Sequence, residues 1–245
     1  MKYSSPNLAE DTIVGFAQLI VQLREFIQRQ DFRGGNYVIK NDGSPVGDLD
    51  IAIENFIVQQ LSVLLPGFQL IGEESQFPVE WNGNYVVVDP VDGTENYVSG
   101  IPIWGTGIAL FVENQLAASW VLFPEINMGI ASKALDGFLV ENFGVFRGPL
   151  KESRVAAYSS NSNWEMVAKD FPEEIRVFGC SLFNLSLAAT SSITFNSSSK
   201  GVRLWDVVPA ALVALESGKK VKINGEEYYG KFLNPNFRFV VEIQS

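Results

Sequence analysis

The chain has 245 residues with a hydrophobic fraction of 47%, a composition typical of one large or two closely packed globular domains and not of a disordered chain or a coiled coil. Its 18 basic and 28 acidic residues give a net charge of −10, so we expect neither nucleic acid nor a membrane as a partner. The absence of histidine excludes Ser-His-Asp and Cys-His nucleophiles and histidine-ligated zinc, and the single cysteine excludes an internal disulfide. No apolar run typical of a signal peptide begins the chain, and we therefore expect a cytoplasmic protein.

The first part of the chain predicts helices followed by strands. Apolar residues recur at helical spacing over residues 5–32, and a second amphipathic helix is predicted from Asp48 to the break at Pro66. The pattern then changes to that of strands, which are predicted at residues 69–71, 85–88, 105–112, 115–123 and 127–132.

The second part predicts alternating strands and helices. Strands are expected at residues 154–158, 175–178 and 192–195, and helices at residues 164–168, 182–190 and 205–216. The change of rhythm places a domain boundary near residues 145–155. The predicted fold class is therefore α+β followed by α/β, with an N-terminal subdomain at residues 1–150 and a C-terminal one at residues 151–245.

Three acidic segments occur at strand ends or helix starts, namely Gly72-Glu73-Glu74, Asp89-Pro90-Val91-Asp92-Gly93-Thr94 and Trp205-Asp206. In the second segment, Asp89 is predicted to close a buried strand and Pro90 to turn the chain, so that Asp89 and Asp92 face one point. Gly93 then allows close backbone approach, and the N–H groups at the start of a helix follow. Two carboxylates beside such N–H groups suit a cation that in turn holds a phosphate.

Each acidic residue also has an ordinary structural explanation when it is taken alone. Asp92 could cap a turn, Glu73 could be a solvated charge, and Asp206 could cap a helix. Asp50, near the start of a helix, could serve as a partner of the helix dipole. The order and spacing of these residues favour a functional interpretation.

In that order, Asp50, Gly72-Glu73-Glu74, Asp89-Pro90-Val91-Asp92-Gly93-Thr94 and Trp205-Asp206 resemble the signature of the inositol monophosphatase family. Its members are magnesium-dependent, lithium-sensitive phosphomonoesterases. The resemblance extends from the turn at residues 42–46 to Gly218. It implies a layered αβαβα sandwich of the sugar-phosphatase type, with the active site between two subdomains, and a homodimer.

The resemblance also implies roles for individual residues. Two or three Mg²⁺ ions would be bound, the first by Glu73, Asp89 and the carbonyl of Val91, and the second by Asp89, Asp92 and Asp206. The predicted catalytic residues are Thr94, oriented by Asp50, and Glu73, which together would position the attacking water. The predicted substrate-binding residues are Asp92, Gly93, Thr94, Gly179 and Ser181.

The substrate is less closely specified than the site. A small phosphorylated alcohol is expected, either inositol monophosphate-like or histidinol phosphate. Ser199 stands where inositol-cleaving relatives carry a carboxylate, and residues 42–46 and 100–106 resemble the histidinol-phosphate branch. The alternatives are a phosphatase of 3′-phosphoadenosine 5′-phosphate or of a sugar phosphate, a non-catalytic regulatory member of the family, and a cation-binding module.

Overall fold

The computed structural model describes residues 3–30, 36–40, 45–74, 79–81, 83–139, 144–145, 155–162 and 174–244. The N-terminal part contributes two helices, α1 (Glu10–Gln28) and α2 (Asp48–Leu64), and a two-stranded ribbon of β1 (Tyr37–Ile39) and β2 (Pro45–Gly47). Helix α1 starts later than predicted because Ala9 has an extended backbone with ψ 141°. Acidic residues in its first turn, Glu10 and Asp11, complement the positive end of the helix dipole.

The first large sheet has six strands in the order β3-β4-β5-β6-β7-β8, in which β3–β4 and β7–β8 are parallel and the other pairs antiparallel. The strands are β3 (Gln69–Gly72), β4 (Tyr85–Asp92), β5 (Gly105–Val112), β6 (Gln115–Phe123), β7 (Met128–Ala131) and β8 (Gly144–Val145). A short helix, α3 (Thr94–Val98), follows β4, and a 3₁₀ turn at Lys133–Leu135 follows β7.

The second sheet also has six strands, in the order β10-β9-β11-β14-β12-β13. They are β9 (Val155–Tyr158), β10 (Glu174–Arg176), β11 (Thr194–Asn196), β12 (Lys220–Ile223), β13 (Glu226–Glu227) and β14 (Val241–Gln244). Between the two sheets lie α4 (Ser181–Thr190) and α5 (Leu204–Glu216), which contact each other. Helix α5 contacts mainly the first sheet and α4 mainly the second, and each also contacts one strand of the other sheet.

The side chains of strand β4 belong alternately to two hydrophobic cores, one on each face of the first sheet. Tyr85 and Val87 belong to the hydrophobic core formed with α4, α5 and the second sheet, whereas Val86 and Val88 belong to the core under α1 and α2. Successive side chains of a strand point to opposite faces, so a strand that is covered on both faces is apolar throughout. The order of layers is helix, sheet, helix, sheet, which confirms the predicted mixed fold.

Two predictions fall on other parts of the chain. The predicted helix at residues 164–168 lies outside the described residues, as does most of the predicted domain boundary at residues 145–155. The division into two subdomains stays a prediction. Within the described ranges, no helix combines the length and apolar composition that crossing a membrane requires.

Candidate metal centre

Strand β4 does not end at Asp89, as the sequence had predicted, but continues to Asp92 across a β-bulge. Asp89 pairs with Gly107 and Asp92 with Gly105, and the register shifts between these two pairs. Proline has no N–H to donate, and Pro90 therefore fits the irregular position of the bulge. The hydroxyl of Thr106 donates to the carbonyl oxygen of Pro90 at 2.7 Å. The bulge changes the direction of the strand, so that the carboxylates of Asp89 and Asp92 lie on the same side of the C-terminal end of β4.

Asp206 joins these two carboxylates from the other half of the chain. It lies in the first turn of α5, where its Oδ2 accepts the Arg203 N–H at 2.6 Å in a capping box. One carboxylate oxygen from each of Asp89, Asp92 and Asp206 lies within 4.8 Å of the other two. The structure therefore brings together three of the predicted metal-ligating side chains.

The electrostatics of this cluster are unfavourable without a cation. Asp89 is 1% exposed, and neither of its carboxylate oxygens accepts a hydrogen bond from the described part of the chain. Burial, with the negative charges of Glu73, Asp92 and Asp206, raises the pKa of Asp89 well above its usual value. Burial likewise raises the pKa of Asp92 to about 6 and that of Asp206 to about 8. Unpartnered carboxylate oxygens in such a group fit a bound divalent cation.

Asp92 also connects β4 to the start of α4. Its Oδ2 accepts hydrogen bonds from the N–H of Leu182 and, at 3.0 Å, from the thiol of Cys180. Gly93 has φ 84°, and a Cβ there would lie 3.1 Å from the Cβ of Cys180, so the two segments approach as closely as glycine allows. Cys180 is buried, and burial raises the pKa of its thiol well above the usual value, which favours a hydrogen-bond donor over a nucleophile.

Glu73 is paired with a lysine. Among the described residues, the group of three close carboxylates does not include Glu73, whose Oε1 lies 3.0 Å from the Lys40 ammonium. The same ammonium lies 2.5 Å from Glu74 Oε1. Lys40 therefore forms an ion pair with Glu73, which is a predicted metal ligand.

The other predicted residues lie near this centre, although not all in the expected contacts. The Thr94 hydroxyl donates to the Val91 carbonyl oxygen at 2.8 Å, while Asp50 Oδ2 accepts the Gly47 N–H at 2.9 Å. Asp50 is 1% exposed, and burial, assisted by the charges of Glu73 and Glu74, raises its pKa to about 7. That Asp50 orients Thr94 stays a prediction.

The predicted substrate-side loop borders the cluster. Gly179 has φ 74°, and Ser181 is the first residue of α4. The buried amide of Asn96 donates to the carbonyl oxygens of Ile103 and Phe178, each at 2.7 Å, and so ties this loop to the chain after α3.

Sequence reasoning missed two charged residues behind the Glu73 segment. Glu54 is buried, and its Oε1 accepts the Glu74 N–H at 2.7 Å. The spacing of Asp50 and Glu54, four residues apart on the buried face of α2, was a usable signal. Lys40 had no such signal, because its partners lie 33 and 34 residues further along the chain.

Comparisons with known proteins show the family and the fold. A profile of the inositol monophosphatase family matches residues 9–242. The chain is 31% identical over 205 residues to a histidinol-phosphatase of Streptomyces coelicolor, covering 73% of each protein. It is 25% identical over 209 residues to a 3′(2′),5′-bisphosphate nucleotidase, CysQ, of Haemophilus influenzae, covering 80% of this chain and 76% of that protein. The fold is similar to that of an inositol monophosphatase/NADP phosphatase solved with Mg²⁺ and phosphate, with a TM-score of 0.74, 18% identity, and coverage of 95% of this chain and 91% of that chain.

Proposed function

The chain belongs to the inositol monophosphatase family, and from that premise we propose that it is a Mg²⁺-dependent phosphomonoesterase of a small phosphorylated alcohol. The predicted class, a phosphoric monoester hydrolase, is confirmed at the level of the family. The observation that carries the metal assignment is the convergence of Asp89, Asp92 and Asp206 within 4.8 Å, with both oxygens of Asp89 left without a donor among the described residues. A solved relative of the same fold holds Mg²⁺ and phosphate, which supports the choice of cation.

In this proposal, the acidic residues of the centre bind the cations. Asp89, Asp92 and Asp206 hold the cations, with Glu73 and the Val91 carbonyl as further ligands. Bound there, divalent cations would supply positive charge to the phosphate oxygens and lower the pKa of a nearby water molecule. A dianionic phosphate could approach these carboxylates only after cations neutralise them.

The protein's own groups would orient the substrate and the water. The N–H groups of Gly93 and Thr94, at the turn between β4 and α3, would donate to phosphate oxygens. The Thr94 hydroxyl, held 2.8 Å from the Val91 carbonyl, would position the attacking water together with Glu73. The buried Asp50 would orient Thr94. Gly179 and Ser181 would contact the substrate from α4.

The finer features of the proposal rest on the family resemblance and on composition. They are two or three Mg²⁺ ions, sensitivity to lithium, a homodimer and a cytoplasmic location. The substrate would be inositol monophosphate-like or histidinol phosphate, with 3′-phosphoadenosine 5′-phosphate or a sugar phosphate as the alternative. The names of the relatives support phosphomonoesters of both groups.

The test is phosphate release from a panel of phosphomonoesters, measured with Mg²⁺ and with EDTA. The panel contains inositol phosphates, histidinol phosphate, 3′-phosphoadenosine 5′-phosphate, fructose bisphosphate and glycerol phosphate. We expect release with Mg²⁺ and none with EDTA. Absence of release from every compound, in a protein that still binds Mg²⁺, would contradict catalysis and favour the non-catalytic regulatory alternative.

A further inference from the structure

A polar pocket of about 150 Å³ lies beside the carboxylate cluster and shares Asp206 with it. Such a volume accommodates several water molecules or a small polar group. The pocket lies between the C-terminal end of β9, the start of α4 and the start of α5. Its other lining residues are neutral apart from Arg238, and they include Ser159, Gly179, Ser181 and Asn184.

Two buried polar atoms of the pocket lack a partner. Ser159 is 8% exposed and Asn184 is 1% exposed, and neither Ser159 Oγ nor Asn184 Oδ1 forms a hydrogen bond within the described part of the chain. Buried polar groups are nearly always satisfied, and each exception requires an explanation such as a ligand. The amide Nδ2 of Asn184 lies 3.5 Å from the Tyr158 carbonyl oxygen, so the side chain is held at one end. These two atoms suit hydroxyl groups of a bound molecule.

The charge of the pocket comes from one residue that the carboxylate cluster does not use. Asp206 belongs to the carboxylate cluster, and the buried Cys180 is a neutral thiol that donates to Asp92. Arg238 is therefore the remaining charged residue of the lining. Arg238 Nη1 donates to the Gly201 carbonyl oxygen at 3.3 Å, and within the described ranges Arg238 forms no ion pair. An arginine in this position can form charge-assisted hydrogen bonds to a phosphate or carboxylate.

The proposed function already places the leaving group beside Gly179 and Ser181, which line this pocket. We propose, on that basis, that Arg238 binds a second anionic group of the substrate in this pocket. A hydroxyl-bearing leaving group would satisfy Ser159 and Asn184. Outside the metal centre, the lining residues include Arg238 but no carboxylate. A leaving group with an ammonium would therefore have no negatively charged partner there. The inference therefore narrows the proposed function towards its alternative: a phosphorylated alcohol with a second phosphate or a carboxylate is favoured over histidinol phosphate or an inositol monophosphate.

The experiment measures kcat/KM with Mg²⁺ for matched pairs of substrates. Two pairs differ by a second phosphate: fructose 1,6-bisphosphate with fructose 1-phosphate, and 3′-phosphoadenosine 5′-phosphate with adenosine 3′-phosphate. A third pair, 3-phosphoglycerate with glycerol 3-phosphate, tests a carboxylate, and histidinol phosphate tests an ammonium. We expect the member with the extra anion to be preferred by about tenfold or more in at least one pair, because hydrogen bonds to charged groups are among the stronger ones.

The same ratios are then measured for variants. Arg238→Met is expected to lower the preferred ratio by about tenfold, mainly through KM, whereas Arg238→Lys retains part of the preference. Arg29→Met, which removes an exposed arginine at the C-terminal cap of α1, is the control and is expected to leave the ratio unchanged. Thermal unfolding of each variant verifies that it is folded.

The outcomes separate the two proposals. Equal kcat/KM within every pair, an unchanged ratio in Arg238→Met, or a preference for histidinol phosphate would overturn the second-anion inference while leaving the phosphatase in place. Absence of Mg²⁺-dependent release from every compound would contradict the proposed function itself.

Discussion

At the scale of single residues, Asp89 stands out in the part of the chain that the structure describes, because neither of its buried carboxylate oxygens has a hydrogen-bond partner. It is almost wholly buried, and it faces the charges of Glu73, Asp92 and Asp206. A buried charge without a partner costs several kcal/mol, or the group takes up a proton instead. A divalent cation would resolve this conflict, so the electrostatics favour the proposed metal centre independently of the sequence motif.

Lys40 provides a prediction at the same scale. Its ammonium forms ion pairs with Glu73 and Glu74, so we expect it to compete with a cation for Glu73. We expect Lys40→Met to tighten Mg²⁺ binding by roughly two- to fivefold, because a partly exposed ion pair is worth about 0.5–1 kcal/mol. Isothermal titration calorimetry measures the affinity.

Lys222→Met is the control for this titration. It removes a lysine that lies 3.9 Å from Glu242, in the second sheet. We expect its Mg²⁺ affinity to equal that of the wild type. Unchanged or weaker Mg²⁺ binding in Lys40→Met would show that Lys40 does not compete with the cation.

At the scale of elements, helix α2 supports the segment that carries Glu73. Gly72 lies so close to Glu54 that an added Cβ would stand 2.2 Å from Glu54 Oε1, and the same oxygen accepts the Glu74 N–H. Glu54 therefore holds the end of β3 and the residues after it against the helix. The position of the segment that carries Glu73 thus depends on a contact between α2 and the end of β3.

Glu54→Ala tests this support. The substitution leaves the Glu74 N–H without its acceptor and removes buried packing, so the free energy of unfolding is expected to fall by about 1–3 kcal/mol. Glu54→Gln keeps an acceptor oxygen in place and is expected to lose less. Urea unfolding measures both. Equal stability of Glu54→Ala and the wild type would mean that the contact does not hold the segment.

The element scale also shows what the sequence could and could not predict. Helix α2 and strands β3, β5 and β6 follow local periodicity, and the structure has them close to the predicted bounds. The continuation of β4 past Pro90 was not predicted, because it depends on pairing with Gly105 and Gly107 of β5. The contact between Lys40 and Glu73 is likewise a property of tertiary structure. Local patterns specify elements, whereas bulges and long-range ion pairs depend on partners distant in the chain.

At the scale of the whole molecule, buried carboxylates at and near the metal centre make the free energy of unfolding depend on pH. Asp50, Asp92 and Asp206 have pKa values raised from 3.8 to about 7, 6 and 8 in the folded chain. Between these values and 3.8 the folded state binds more protons than the unfolded state, so rising pH lowers the free energy of unfolding. The contribution of these three carboxylates is therefore expected to make the cation-free protein more stable near pH 5 than near pH 8.

Thermal unfolding in EDTA and in Mg²⁺ at the two pH values tests this linkage. We expect Mg²⁺ to raise the Tm more near pH 8, where it no longer competes with protons for the carboxylates. Asp206→Asn removes one titrating group and is expected to flatten the pH dependence in EDTA. A cation-free stability that rises from pH 5 to pH 8, or that keeps its slope in Asp206→Asn, would contradict the account.

The central claim, that the converging carboxylates form the divalent-cation site of a phosphatase, is tested most directly by titrating Mg²⁺ into the wild type and Asp89→Asn. Asp136→Asn, which changes an exposed carboxylate outside the cluster, is the control. We predict saturable binding to the wild type and the control, and an affinity at least about tenfold weaker in Asp89→Asn, with turnover lost. Equal Mg²⁺ affinity and most of the turnover in Asp89→Asn would contradict the assignment.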